Sequence, residues 1–239
     1  MGGLSIANED IVAFNGTNFS LYFDGGDVGL GGLAIDAFAI VGDTEILMSF
    51  TKAGSVPGIA GTVDDSDLVK FTAISLGENN TAGSFELYFD GSDVGLTASS
   101  EDIDAVELLP DGTLLLSTIG SFTANELVGN DVDIFACNLP TTGPDTACES
   151  VTLYFDGAAA GLADSNHDVD ALAVDGTGKV SISVIRRFNV DSLSGVDEDV
   201  FVCDPAGAAP INACNSWSLS FDGSAYGLGG NDIFAFDLP

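Results

Sequence analysis

Along the chain, apolar residues come in short runs separated by Asp-Gly, Gly-Gly and Asn-rich breaks, and the runs return in a fixed order. The clearest is Leu21-Tyr22-Phe23-Asp24-Gly25. It returns as Leu87-Tyr88-Phe89-Asp90-Gly91, Leu153-Tyr154-Phe155-Asp156-Gly157 and Leu219-Ser220-Phe221-Asp222-Gly223, with starts at 21, 87, 153 and 219, a step of 66 each time. A fixed period marks one structural unit repeated, not a string of unrelated domains. A Gly-Leu pair follows each copy, at Gly29, Gly95, Gly161 and Gly227, and then a third run: Ala34–Phe38, Asp102–Val106, Asp168–Leu172 and Asp232–Phe236. In three copies a tight turn leads on to Glu45–Phe50, Thr113–Ser117 and Lys179–Val184; an Asp-led run, opening at Asp10, Asp67, Asp133 and Asp199, precedes every phrase.

Each run spans about five to seven residues and is rich in Val, Ile, Phe and Tyr, which predicts strands. Pro110-Asp111-Gly112-Thr113 and Asp175-Gly176 supply the turn chemistry that joins antiparallel neighbours. Lettering the Asp-led run a, the Phe-Asp-Gly run b, the Asp-Ala run c and the run after the hairpin d, the chain reads abcd three times and then abc. Gly3-Leu4-Ser5-Ile6 resembles a short d at the other end. Four-stranded units with one completed by both termini predict an all-β, four-bladed β-propeller, a closed ring that leaves no sheet edge exposed. The expected blades are approximately 33–91, 101–157, 167–223, and 1–25 plus 229–239 of a single domain covering 1–239. The rivals are an open stack of repeats and a β-sandwich.

The Ile-Asp-Ala and Val-Asp-Ala sequences of run c, at Ile35–Ala37, Ile103–Ala105 and Val169–Ala171, resemble the inner strands of hemopexin-like four-bladed propellers. That resemblance implies ions in a central channel. The wider repeat is similar to modules of secreted bacterial or archaeal surface proteins.

Apolar residues make up 46% of the chain and charged residues 18%, enough hydrophobic material for a core despite a net charge of −32. No apolar stretch approaches the roughly 18 residues of a membrane span. With 5 Lys+Arg against 37 Asp+Glu, nucleic acid and anionic lipid are poor partners, and cations are favoured. Cys137 and Cys148 are 11 apart, Cys203 and Cys214 are 11 apart, and the pairs are offset by 66, each bracketing an a–b connection. This spacing predicts two disulfides and hence an oxidising, extracellular or cell-surface location. Four free thiols or a shared metal site is the alternative. Asn15, Asn18 and Asn79 head glycosylation sequons.

Repeated carboxylates are the candidates for chemistry. Asp36, Asp104 and Asp170 lie inside run c, with Asp102, Asp168 and Asp232 two residues earlier in three copies; in the last copy Phe234 stands where the others have Asp. Gathered around a channel, such groups repel unless a cation, protons or water intervene, and calcium with oxygen ligands is the expected occupant. Asp164-Ser165-Asn166-His167-Asp168-Val169-Asp170 also alternates oxygen ligands as a calcium loop does, without that loop's Gly and Glu. The Asp residues of run a are expected to fix strand starts by accepting backbone N–H groups. His167, the single histidine, has no triad context, and regular repetition argues against an active site. The expectation is therefore a non-enzyme: a calcium-associated structural or self-assembly module of a surface layer or filament. The alternatives are a secreted propeller that binds a glycan or protein ligand, and a carboxylate-dependent glycoside hydrolase.

Overall fold

The structure, a computed structural model, describes residues 4–77, 80–138, 140–162 and 167–238. Runs a and b of the first copy form β1 (Ile11–Phe14) and β2 (Phe19–Phe23). The next unit contributes β3 (Ile35–Gly42), β4 (Glu45–Phe50), β5 (Leu68–Ser75) and β6 (Ala82–Phe89). Then come β7 (Ile103–Leu108), β8 (Leu114–Thr118), β9 (Phe122–Ala124), β10 (Leu127–Gly129), β11 (Ile134–Asn138) and β12 (Ser150–Phe155). The last unit holds β13 (Ala171–Val174), β14 (Val180–Ser183), β15 (Phe188–Val190), β16 (Leu193–Gly195), β17 (Asp199–Pro205) and β18 (Cys214–Asp222).

Among the described residues these strands make six separate antiparallel sheets. Three are four-stranded, in the order β3-β4-β5-β6, β7-β8-β11-β12 and β13-β14-β17-β18; β1-β2, β9-β10 and β15-β16 are two-stranded ribbons. The antiparallel c-d-a-b order within each large sheet follows the repeated runs. The four-bladed propeller does not form, because no strand pairing closes a ring. Residues 227–238 contain no strand, so the fourth unit stops at the two strands β1 and β2. The physical reason lies in the pairing order: as a strand, run c pairs only with run d, and Leu4–Ala7, mostly exposed, makes no d strand, whereas five of the six residues of β4 are buried. Gly3 lies outside the described residues. The likeness to hemopexin-like and surface-protein propellers therefore fails at the level of architecture. The assembly, ligand-binding and hydrolase roles attached to that ring lose their structural basis with it.

The sheets pack through their faces. Ile11 and Phe23 of the first ribbon bury against Ile46, Met48 and Phe71. Ala37, Leu47 and Phe89 bury against Ile103, Leu114 and Phe135, and Leu115, Ile134 and Phe155 against Leu172, Ile182 and Phe201. Phe14 of β1 also touches Phe221 of β18 and Tyr226 shortly after it, at 5.6 and 4.7 Å between ring centroids.

The Phe-Asp-Gly phrase and the Asp that opens run a are two halves of one device. In every unit one oxygen of that Asp accepts from the N–H three residues upstream and the other from the Gly of the phrase. Asp10 binds Ala7 and Gly25, Asp67 binds Asp64 and Gly91, Asp133 binds Asn130 and Gly157, and Asp199 binds Val196 and Gly223. A Cβ at any of these four glycines would collide with the carbonyl oxygen of Glu9, Ser66, Val132 or Glu198, so the approach that makes the hydrogen bond excludes a side chain. All four a–b pairs also carry a register shift at the same place, one residue into run a.

The phrase is further held from the next unit. The N–H of Asp24 donates to Thr81 Oγ1, that of Asp90 to Thr146 Oγ1, and that of Asp156 to the carbonyl of Ile211. Thr146 and Ile211 sit in loops closed by the disulfides Cys137–Cys148 and Cys203–Cys214. Each disulfide thus stiffens the loop that latches one sheet to its predecessor.

Replacing Asp133 by Ala leaves the N–H groups of Asn130 and Gly157 without their acceptor. Urea unfolding should show a loss of about 1–3 kcal/mol, against little change for Ala at the exposed Asp145. Replacing both Cys203 and Cys214 by Ser should lower stability by about 2–3 kcal/mol through the freed loop, measured the same way.

Candidate functional site

The sequence-predicted carboxylates divide sharply by their surroundings. Those of run a are satisfied by backbone N–H groups, as above. Those of run c are buried without equivalent donors: Asp36 in β3, Asp102 and Asp104 at the start of β7, and Asp168 and Asp170 just before β13, with Asp232 partly exposed in the C-terminal run. Asp104, 3% exposed, is the extreme case. Among the described residues neither of its oxygens has a hydrogen-bonding N–H or hydroxyl, and one oxygen each of Asp102, Asp168, Asp170 and Asp232 shares that condition.

These groups also face one another. The carboxyl of Asp104 meets that of Asp168, and the carboxyl of Asp170 meets that of Asp232. Burial, reinforced by neighbouring carboxylates, pushes Asp36 up to about 6, Asp102 to about 8, Asp168 to about 7 and Asp232 to about 6. Burial drives Asp104 and Asp170 well above the usual carboxylate range, with Asp168 and Asp36 adding to the first and Asp232 to the second. A shared proton is the simplest way for each pair to persist at neutral pH, since two carboxylates in contact cannot both ionise cheaply.

Ser183 gives independent geometric support. Its hydroxyl lies 2.7 Å from Asp170 Oδ1 and 2.7 Å from the carbonyl oxygen of Ile233, but it has one proton to donate. The conflict disappears when Asp170 Oδ1 carries a proton and donates to Ser183, which then donates to Ile233, the contact with Asp232 requiring a second proton. Ser49 occupies the matching place in the first large sheet, accepting from the N–H of Ala37 and donating to the carbonyl of Ile103. The serines ending run d were missed in the sequence, although Ser49, Ser117 and Ser183 close the same motif three times.

A second omission is more consequential. Asp65, Asp131 and Asp197 also repeat at a step of 66, two residues ahead of the run-a Asp, with Asn8 in that place in the first copy. Each is partly exposed, and each acts electrostatically on the buried set: Asp65 on Asp36 and Asp102, Asp131 on Asp168, Asp197 on Asp232. The signal was present as periodicity and was obscured because only the strand-opening Asp was counted.

The remaining candidates scatter. His167 is buried, 4% exposed, rather than solvated as a loop histidine is expected to be. Asp164, Ser165, Asn166 and the sequon residue Asn79 lie outside the described residues. Asn15 and Asn18 are exposed, and Asn15 Oδ1 accepts from the N–H groups of Thr17 and Asn18. Among the described residues no three His, Cys, Asp or Glu side chains stand close enough together to hold a metal ion in this arrangement. The carboxylates meet in pairs. A cleft of ≈ 520 Å³ lined by Asn8, Glu9, Ala34 and Lys52 holds a single carboxylate, Glu9, where glycoside cleavage requires two.

The raised carboxyls fix the sign of a pH dependence. Between the unfolded value near 3.8 and the folded values of about 6 to 8, the native state binds more protons than the unfolded chain, so stability falls as pH rises through that window. In metal-free buffer the urea midpoint should drop steadily from pH 5 to pH 8. Replacing Asp104 and Asp170 together by Asn should flatten that slope; a midpoint that instead climbs with pH would show the cluster ionised.

No protein-family model matches the chain, and no curated protein does. It is similar to a crystal structure of a protein of unknown function from Bacteroides caccae, with a TM-score of 0.33 and 13% identity over 88% of this chain and 72% of that one. Among the described residues no helix is long and apolar enough to cross a membrane.

Proposed function

We propose that this chain is a non-catalytic, extracellular protein whose buried carboxylates take up a hard divalent cation, calcium being the best match. The observation that carries this reading is Asp104: a buried carboxyl that no N–H or alcohol hydroxyl serves and that faces only other carboxyls, among them Asp168, Asp36, Asp170 and Asp102. Groups that prefer oxygen-only coordination and high negative charge density are the alkaline-earth cations, and aspartate oxygens are their usual protein ligands. The net charge of −32 raises the local concentration of any cation. Two disulfides fit an oxidising compartment, where calcium is abundant. Because the carboxyls stand in pairs, uptake requires side chains to turn toward a common centre and to release their shared protons.

The pairing itself favours a second reading, in which the carboxyls hold protons and no cation, and the cluster is a purely structural element of a protein suited to acid. Isothermal calorimetry at pH 7.5 separates the two. Calcium should bind to the chelator-treated protein with saturable heat and raise its melting temperature. Asp104→Ala should weaken binding at least tenfold, while Asp93→Ala at an exposed site should leave it unchanged. Absence of saturable heat with calcium, magnesium and manganese alike would favour protons alone.

A further inference from the structure

We propose that Asn15 is a site of N-glycosylation, used in preference to Asn18, and that the sugar attached there covers an exposed aromatic patch formed by Phe14, Phe221 and Tyr226. This site stands apart from the buried carboxylates and from the cation-binding reading.

The hairpin of β1 and β2 carries two adjacent acceptor triplets, Asn15-Gly16-Thr17 and Asn18-Phe19-Ser20, and the fold treats them differently. Phe14 and Phe19 form the last paired rung, so residues 15–18 are the loop, whereas Phe19 and Ser20 belong to β2, with Ser20 paired to Ala13. The first triplet thus lies wholly in an exposed tip, the kind of segment that can enter the cleft of a modifying enzyme. The second is drawn into a paired strand. Within the tip, the N–H groups of Thr17 and Asn18 donate to Asn15 Oδ1 at 3.0 and 2.9 Å. Those bonds polarise the amide, which eases loss of a proton from Nδ2, and they occupy its oxygen only. Thr17 is exposed and supplies the hydroxyl that the triplet requires.

The transfer is a substitution at carbon. Asn15 Nδ2 bonds to the anomeric carbon of an oligosaccharide carried on a lipid pyrophosphate, and the bond from that carbon to the phosphate oxygen breaks. The lipid pyrophosphate leaves with the electron pair, and one Nδ2 proton passes to a base of the transferase. The two disulfides fit passage through an oxidising compartment, outside the cytosol, where such donors are used.

The rings beside Asn15 are the second observation. Phe221 and Tyr226 stack at 5.2 Å with 12° between their planes, and Phe14 stands edgewise to both. Tyr226 is 43% exposed, and Phe14 and Phe221 are half-buried. In the later copies the residues matching Phe14 are Phe71, Cys137 and Cys203, all fully buried. The matching connections there are also longer, running from Ser75 to Ala82, from Asn138 to Ser150 and from Pro205 to Cys214. The short tip of the first hairpin gives its rings no such cover. A pyranose presents C–H groups on one face that pack on an aromatic ring, and consecutive Cα atoms are about 3.8 Å apart, so a sugar on Asn15 starts beside Phe14.

The test secretes the full chain from a eukaryotic cell line, with both disulfides confirmed by non-reducing mass. Enzymatic deglycosylation in heavy-oxygen water marks each formerly occupied Asn for peptide mass spectrometry. Occupancy at Asn15 should exceed that at Asn18 by about fivefold or more. Thr17→Ala keeps both bonds to Asn15 Oδ1, because Thr17 contributes its backbone N–H, and should abolish occupancy at Asn15; Asn18→Gln should leave it unchanged. Chains trimmed to a single sugar should melt about 2 °C above the Thr17→Ala chain, and the same comparison in a Tyr226→Ala background should lose most of that gap. A disulfide-bonded chain with Asn15 empty, or with Asn18 filled as often, would overturn the site. Occupancy at Asn15 with an equal gap in both backgrounds would overturn the aromatic cover and leave the site standing.

Discussion

The hydrogen bonds that join the Asp opening run a to the Gly of the Phe-Asp-Gly phrase are the constraint on which the rest of the structure depends. Asp67 and Gly91, for example, are 24 residues apart, yet their contact fixes where β5 begins, where β6 ends and which way the chain turns afterwards. The turn that follows places a buried leucine: the N–H of Leu96 donates to the carbonyl of Gly91, and Leu30, Leu162 and Leu228 repeat the bond. Without the carboxylate the glycine N–H would be buried and unpaired, and without the glycine the carboxylate could not come close enough. A device that needs two residue types at a fixed separation explains why a 66-residue unit can be repeated while most of its loops vary.

Against that background the two kinds of Asp have opposite energetics. A run-a carboxylate accepts two N–H bonds, so the hydrogen bonds offset much of its burial; Asp67 nevertheless sits up near about 6, because desolvation still outweighs them. A run-c carboxyl such as Asp104 has burial without the bonds. Natural interiors seldom retain unserved polar groups, and each needs a specific explanation. Here the same strands also carry the apolar side chains that join one sheet to the next, for instance Ala37, Ala105 and Leu172, so the cluster lies where the sheets meet. Whatever neutralises the carboxyls therefore acts on the packing between sheets as well as on its own site.

Much of this was legible in the sequence because it is local. Run order, hairpins at Asp111-Gly112 and Asp175-Gly176, and the boundaries of most strands follow from short apolar runs between turn residues. The ribbons β9-β10 and β15-β16 were not legible, because three-residue strands such as Phe122–Ala124 fall below the length at which alternation can be recognised. The ring failed for a different reason. Complementary-looking ends satisfy a pattern, but a strand exists only if a partner supplies its ladder, and Leu4–Ala7 is too short and too exposed to do so. In the site, the run-c carboxyls were identified from their repetition, whereas pairing and protonation depend on distances between units that no single repeat contains. Ser183 illustrates the limit: its motif is visible, but its double acceptor problem arises only from Ile233, 50 residues away.

The departures from the repeat are themselves informative, because each removes a carboxylate. Asn8 stands where the other copies have Asp65, Asp131 and Asp197, Ala34 where they have Asp102, Asp168 and Asp232, and Phe234 where they have Asp36, Asp104 and Asp170. Each neutral residue lowers the number of carboxyls that must be neutralised where the sheets meet. The carboxyls that remain meet in pairs, Asp104 with Asp168 and Asp170 with Asp232, so a proton can offset part of the repulsion in each. Incomplete repetition thus reduces the electrostatic cost of folding a cluster that four perfect copies would make prohibitive.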